Sequence, residues 1–176
     1  AGHVRLEAID VEMGCRVHQV PMSSSRNAFR RDVKKVLDVG RAAVRTLVCG
    51  GHRVLVLTHK PWREEIEGWG VDVRHFGQGV GTNAYRTSHS AVVVLGTPRK
   101  PNIELRAMAA ALCAGEPAFA EGAADHDTTG FADDRLQEVL EICREDEMAQ
   151  GVHRIGLTIP GHRLKEVVVI GQVEIG

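Results

Sequence analysis

Apolar residues along the chain recur in two rhythms. Phe29, Val33, Val36, Leu37, Gly40, Ala43, Val44, Leu47 and Val48 return every three or four positions, the spacing of one face of a helix. Ser23-Ser24-Ser25 can cap its start and Gly50-Gly51 can close its end. Arg53–Thr58 (RVLVLT) and Ala91–Leu95 (AVVVL) are instead unbroken apolar runs, as expected of strands covered on both faces. Further strands are predicted over Val4–Asp10, Arg16–Val20, Val71–Phe76, Arg154–Ile159 and Val167–Ile175. Pro61 opens a short helix to about Glu67. Asn102 is expected to cap a helix with Leu105, Met108, Ala109 and Leu112 inward. Asp133 or Asp134 caps another, with Leu136, Val139, Leu140 and Cys143 inward, running towards Gln150 and broken by Gly151. Gly115–Gly130 reads as an acidic surface loop.

Helices alternating with buried strands predict an α/β fold, a three-layer, mostly parallel sheet flanked by helices. The 176 residues suit one domain, 1–176, in which 1–27 is a strand-containing opening segment and 28–176 the main body. In such folds ligands gather at the carboxyl ends of the strands. Thr58, the Gly77–Asn83 loop, Gly96–Pro98 and the Gln150–Arg154 segment are candidates for that rim.

Aromatics make up 4% of the chain, so the core must be aliphatic. The net charge of −1 is unevenly spread. Arg26, Arg30, Arg31, Lys34, Lys35, Arg41, Arg45 and Arg53 face only Asp32 and Asp38, whereas Glu116–Glu147 holds eleven acids against Arg135 and Arg144. One region can attract phosphates and the other repels them. The plainer account is two solvated helix faces. Cys15, Cys49, Cys113 and Cys143 form no CxxC pair, and the histidines lack metal-ligand spacing, so no metal site is expected. No apolar run approaches the ~20 residues of a membrane span. The expectation is a thiol-reducing, cytoplasmic setting without a membrane partner.

Two segments carry candidate chemistry. Gly77-Gln78-Gly79-Val80-Gly81-Thr82-Asn83 follows a strand, and its glycines free the backbone to approach a phosphate or sugar. It misses the GxGxxG spacing of dinucleotide folds, and no acid closes the next strand to hold a ribose. A tight structural turn is the competing reading. In Gln150-Gly151-Val152-His153-Arg154-Ile155-Gly156, an amide precedes an arginine by four residues. The planar guanidinium suits phosphate oxygens. A surface arginine beside a hinge is the bland alternative.

Taken in order, these segments resemble the C-terminal RecA-like lobe of superfamily 2 helicases of the DEAD/DEAH-like group found in phages and mobile elements. RVLVLTHK (53–60) resembles motif IV. His75-Phe76-Gly77 resembles the lead-in to motif V, Gly81-Thr82-Asn83-Ala84-Tyr85 followed by AVVVLGTP resembles motif V, and QGVHRIG (150–156) resembles motif VI. The likeness spans most of residues 16–172. It implies that Gly81, Thr82 and Asn83, with His153 nearby, serve nucleotide binding and its coupling to nucleic acid. It implies that Arg154 is an arginine finger with Gln150 beside it, and that Thr58 and Lys60 lie along a bound strand. In that setting Arg26, Arg30 and Lys34 of the basic helix would track phosphates. Trp62 and Trp69 could stack on bases or pack in the core. The implied partners are single- or double-stranded nucleic acid, with DNA favoured, and an N-terminal RecA-like lobe. The implied cofactors are ATP and Mg2+, held mainly by that lobe, because this chain has no GxxxxGK[ST] loop and no Asp-Glu box after a strand.

Val80 stands where the group often has arginine before the motif V glycine, and Leu157 where motif VI has a second arginine. A different register, setting His153-Arg154-Ile155-Gly156 on the His-Arg-Ile-Gly of DEAD-box proteins, puts Leu157 in place of a principal finger. These departures leave room for a non-catalytic nucleic-acid-binding module. The glycine loop leaves room for a small-molecule (di)nucleotide enzyme.

Overall fold

The computed structural model describes residues 15–22, 31–78, 84–119, 131–156 and 165–171. The strand expected over Val4–Asp10, most of the acidic loop and the glycine-loop residues 79–83 lie outside them. The elements run β1 (Cys15–Val20), α1 (Val33–Cys49), β2 (Val54–Thr58), a 3-10 turn (Lys60–Trp62), α2 (Arg63–Glu67), β3 (Asp72–His75), β4 (Ala91–Leu95), α3 (Asn102–Leu112), α4 (Asp134–His153) and β5 (Lys165–Ile170).

The strands form one sheet in the order β1-β5-β4-β2-β3, and every pairing is parallel. Register aligns Val73, Val56, Val93, Val168 and His18 in one transverse row. Side chains alternate between two covered faces. Val54, Val56, Val73, Ala91, Val93, Leu95, Val168 and Ile170 pack under α1 and Ile66 of α2. Leu55, Leu57, Val92, Val94, Val167 and Val169 pack under Met148 and Val152 of α4, with Ile155 and Tyr85. Both faces being apolar explains why β2 and β4 read as continuous hydrophobic runs. The predicted three-layer α/β fold is what the chain adopts.

Helix α4 has two jobs along its length. Its 20 residues span about 30 Å, whereas a five-residue strand spans only about 17 Å. Its second half lies on the sheet, and its first half (Leu136, Val139, Leu140, Cys143) packs on Leu105 and Ala109 of α3. Among the described residues α3 packs mainly on α4, and its buried stripe is Leu105 and Ala109. Met108 and Leu112, expected inward, are 39% and 72% exposed. Asp133 caps α4 by accepting a hydrogen bond from the Arg135 N–H at 3.1 Å. Pro101, not Asn102, holds the cap position of α3.

Gly151 does not break α4, which continues to His153. A Cβ on Gly151 would lie 2.5 Å from Leu57 Cδ1, and one on Gly40 of α1 2.9 Å from Leu95 Cδ2. Each glycine lets its helix settle closer to the sheet than a side chain would permit. Residues 154–156 form the turn after α4, not the start of a strand.

Two glycines at the carboxyl ends of strands have positive φ: Gly77 (φ +76) and Gly96 (φ +117). Gly96 also abuts His59, where a Cβ would come within 2.8 Å of Nε2, whereas one on Gly77 would meet nothing within 4 Å. Gly96→Ala should therefore combine backbone strain with overpacking and lose about 2–4 kcal/mol in urea unfolding. Gly77→Ala should lose only the strain, about 1–2 kcal/mol. Equal losses would contradict this account of the strand ends.

Candidate nucleotide and nucleic-acid site

The chain leaves β3 at the edge of the sheet and re-enters at β4, on the far side of β2. The described parts of the crossing put Phe76 and Tyr85 on the α4 face, and polar side chains hold each part. At the outgoing end the Gln78 N–H donates to the His75 carbonyl at 3.0 Å. Arg154, which follows the last turn of α4, donates from Nη1 to the Gln78 carbonyl at 3.0 Å. Arg154 is half-buried, and the neighbouring Gly151 packs on Leu57, one register row below the strand ends Thr58 and Leu95.

At the returning end Tyr85 is buried in the α4-face core. Its hydroxyl accepts from Arg74 Nε at 2.6 Å, and the guanidinium sits 5.4 Å from the ring centre. The His89 ring meets the Tyr85 ring edge-on at 4.8 Å. His89 Nε2 lies 2.8 Å from Asp72 Oδ2, and Nδ1 lies 2.9 Å from Ser88 Oγ. A carboxylate only accepts, so Nε2 carries the proton and Nδ1 is left as an acceptor facing the Ser88 hydroxyl, whose one proton also has the Ala84 carbonyl within reach at 3.3 Å. Asp72 also pairs with Arg53 at 3.2 Å.

The structure thus brings Arg154 to the glycine loop. Gly81, Thr82 and Asn83 lie outside the described residues, as do Arg26 and Arg30. Gln150 and His153 are exposed, and the Gln150 amide donates to Asp146 one turn earlier at 2.8 Å, so it is not directed at the loop. Thr58 is 0% exposed, and its hydroxyl is enclosed beneath the rim, which removes it from the surface a strand could touch. It ends a strand covered on both faces, and the exposed side chain nearby is Lys60. Lys34, with Lys35, is exposed in the first turn of α1, on the opposite layer from Arg154. Trp62 and Trp69 pack against the α1-side core, and Arg41 stacks 5.3 Å from the Trp69 ring centre, so both tryptophans serve packing.

Sequence reading did not single out Arg74, Asp72, His89 or the carbonyl of Gln78. Their partners are far apart along the chain and leave no local pattern. Tyr85 entered only as a letter of the motif V likeness. Among the described residues no cluster of three potential metal ligands occurs, and no helix is long and apolar enough to cross a membrane. No known protein family, curated protein or solved structure matches the chain.

The geometry ties the returning limb to pH. Burial lowers the His89 pKa from its ordinary 6.5, with the Asp72 hydrogen bond pulling the other way. A base with a depressed folded pKa leaves stability undiminished above its unfolded pKa. Below it, the unfolded chain takes up the proton first, so stability falls as pH drops through and below about 6.5. Wild type should therefore lose more stability than His89→Gln between pH 7 and pH 5 in urea titrations. Parallel losses would remove His89 from the acid response.

Proposed function

We propose that this chain is the second motor lobe of an ATP-dependent helicase or translocase, working on single-stranded nucleic acid, with DNA favoured. The observation that carries the reading is the hydrogen bond from Arg154 to the Gln78 carbonyl, which joins two segments 76 residues apart. The ordered resemblance to helicase motifs IV, V and VI supports a composite site formed by these same two segments. Gly81, Thr82 and Asn83, together with the exposed Arg86, Thr87 and Ser88, would take the phosphate backbone through N–H groups and polar side chains. Arg154 would reach a nucleotide bound to a partner RecA-like lobe, and Lys60 and the first turn of α1 would add cationic contacts. ATP with Mg2+, on that partner lobe, supplies the phosphoryl group whose transfer drives the cycle. Arg154 would hold charge developing on the transferred phosphoryl oxygens, a contribution of ~10³–10⁵ in rate at well-studied sites.

Arg154 has donors beyond the one given to Gln78, so it can keep the loop and still meet a phosphate. A non-catalytic nucleic-acid-binding module remains the second reading. It is favoured by the engagement of Gln150 with Asp146 and by Val80 and Leu157 at the two departures from the motifs.

Joined to a phosphate-loop lobe, the wild-type chain should show DNA-stimulated ATP turnover, and Arg154→Ala should lower it by roughly 10³-fold or more. Unchanged turnover would reject the finger. Absent turnover with intact DNA binding would select the second reading. For the isolated chain, Lys60→Ala and Lys34→Ala should each weaken oligo(dT) binding in fluorescence anisotropy. Each should also reduce the slope of log affinity against log salt by about 0.7. Slopes equal to that of wild type would remove these lysines from the interface.

A further inference from the structure

Lys165 opens β5 and is 4% exposed. Its ammonium donates to three backbone carbonyls: Arg86 at 3.1 Å, His89 at 3.3 Å, and Ile155. An ammonium has three protons, and each is matched by an acceptor. Two acceptors lie on the returning limb of the glycine loop. The third belongs to the residue immediately after Arg154. Among the described residues no other hydrogen bond links 84–89 to 154–156. The partners are carbonyl dipoles and not a carboxylate. Glu166, the next residue, turns to the other side to meet His18 and Arg16. Lysine is rarely buried without a charged partner. An apolar side chain at this position would fill the space but leave three carbonyls from two segments unbonded and unconnected. Burial, and then the nearby Arg86, lower the Lys165 pKa, in keeping with an enclosed ammonium.

We infer that Lys165 is a positioning residue that couples the nucleic-acid limb of the loop to the arginine segment. The inference rests on the functional reading above and deepens it. A displacement of residues 84–89 by a bound strand pulls on the same ammonium that fixes Ile155. That motion is delivered to the backbone carrying Arg154. The second link, from Arg154 to Gln78, sits at the other end of the loop, so the arginine is tied to both limbs. Lys165 touches no ligand. Its role is to make the two segments move as one.

Amide exchange on the free 176-residue chain, followed by NMR, tests the coupling without any ligand. In the wild type, amides of 84–90 and 154–156 should share one opening rate and one dependence on denaturant. In Lys165→Met both groups should exchange roughly tenfold faster or more, while β2 and α1 keep their protection. Separate denaturant slopes in the wild type, or acceleration confined to one segment, overturn the inference, and the wild-type measurement decides it even if the variant fails to fold. A second arm adds oligo(dT). In the wild type, signals of 84–89 and of 155–156 should shift together with one apparent Kd. In Lys165→Met the 84–89 shifts should persist, with binding weakened less than about threefold, and those at 155–156 should vanish. Shifts that persist at 155–156 overturn the inference. Failure of the wild type to bind oligo(dT) overturns the nucleic-acid reading and leaves the exchange arm to judge the coupling.

Discussion

The arrangement depends on one backbone problem, the return from β3 to β4. Parallel strands need a long crossover, usually a helix that satisfies its own backbone groups. Here the described part of the crossing, 84–88, is a run of turns laid over the α4 face of the sheet. Turns leave carbonyls without internal partners, and near a buried face these must be satisfied from elsewhere. Long cationic side chains do this. Arg154 takes the Gln78 carbonyl, and Lys165 takes those of Arg86 and His89. Arg74 holds the Tyr85 hydroxyl that anchors the limb in the core. The described ends of the crossing, Gln78 and residues 84–89, are thereby held by long cationic side chains.

That solution fixes what the two faces can do. The α4 face carries the loop, Arg154 and the buried ammonium. The α1 face carries the exposed lysines. Lys165 and the carbonyls of Arg86 and His89 stand at the amino ends of β5 and β4, whereas Gln78, Lys60 and Gly96 beside His59 mark the rim at the carboxyl ends. The first half of α4, with α3, rises past the ends of the strands and bounds that rim on one side. Its acidic surface disfavours phosphates there.

Much of the fold was legible in the sequence. Runs such as AVVVL could belong only to strands covered on both sides, and α1 followed from its three- and four-residue spacing. What misled was context. Gly151 resembled a helix breaker but is a spacer, because the need for α4 to approach Leu57 outweighs the propensity cost of glycine. Met108 and Leu112 had inward spacing, but among the described residues α3 packs mainly on α4, which leaves Met108 at the margin beside Cys143 and Leu112 exposed. Thr58 matched a strand-contacting motif position, yet a central strand's last residue is closed over from both faces. The sequence drew attention to Arg154 because arginine beside a helix end is a local pattern; its bond to the Gln78 carbonyl is what the fold adds. Lys165, Arg74 and the Asp72–His89 pair were not legible, since their partners lie from 10 to 79 residues away and only the folded sheet brings them together.

The most direct measurement of the central claim is photo-crosslinking of this chain to a 4-thiothymidine-substituted single strand, with the adducts mapped by mass spectrometry. Adducts should concentrate in the peptide from Gly77 to His89 and around Lys60. Adducts confined to the α3–α4 surface, or none at strand concentrations that saturate the chain, would contradict the account.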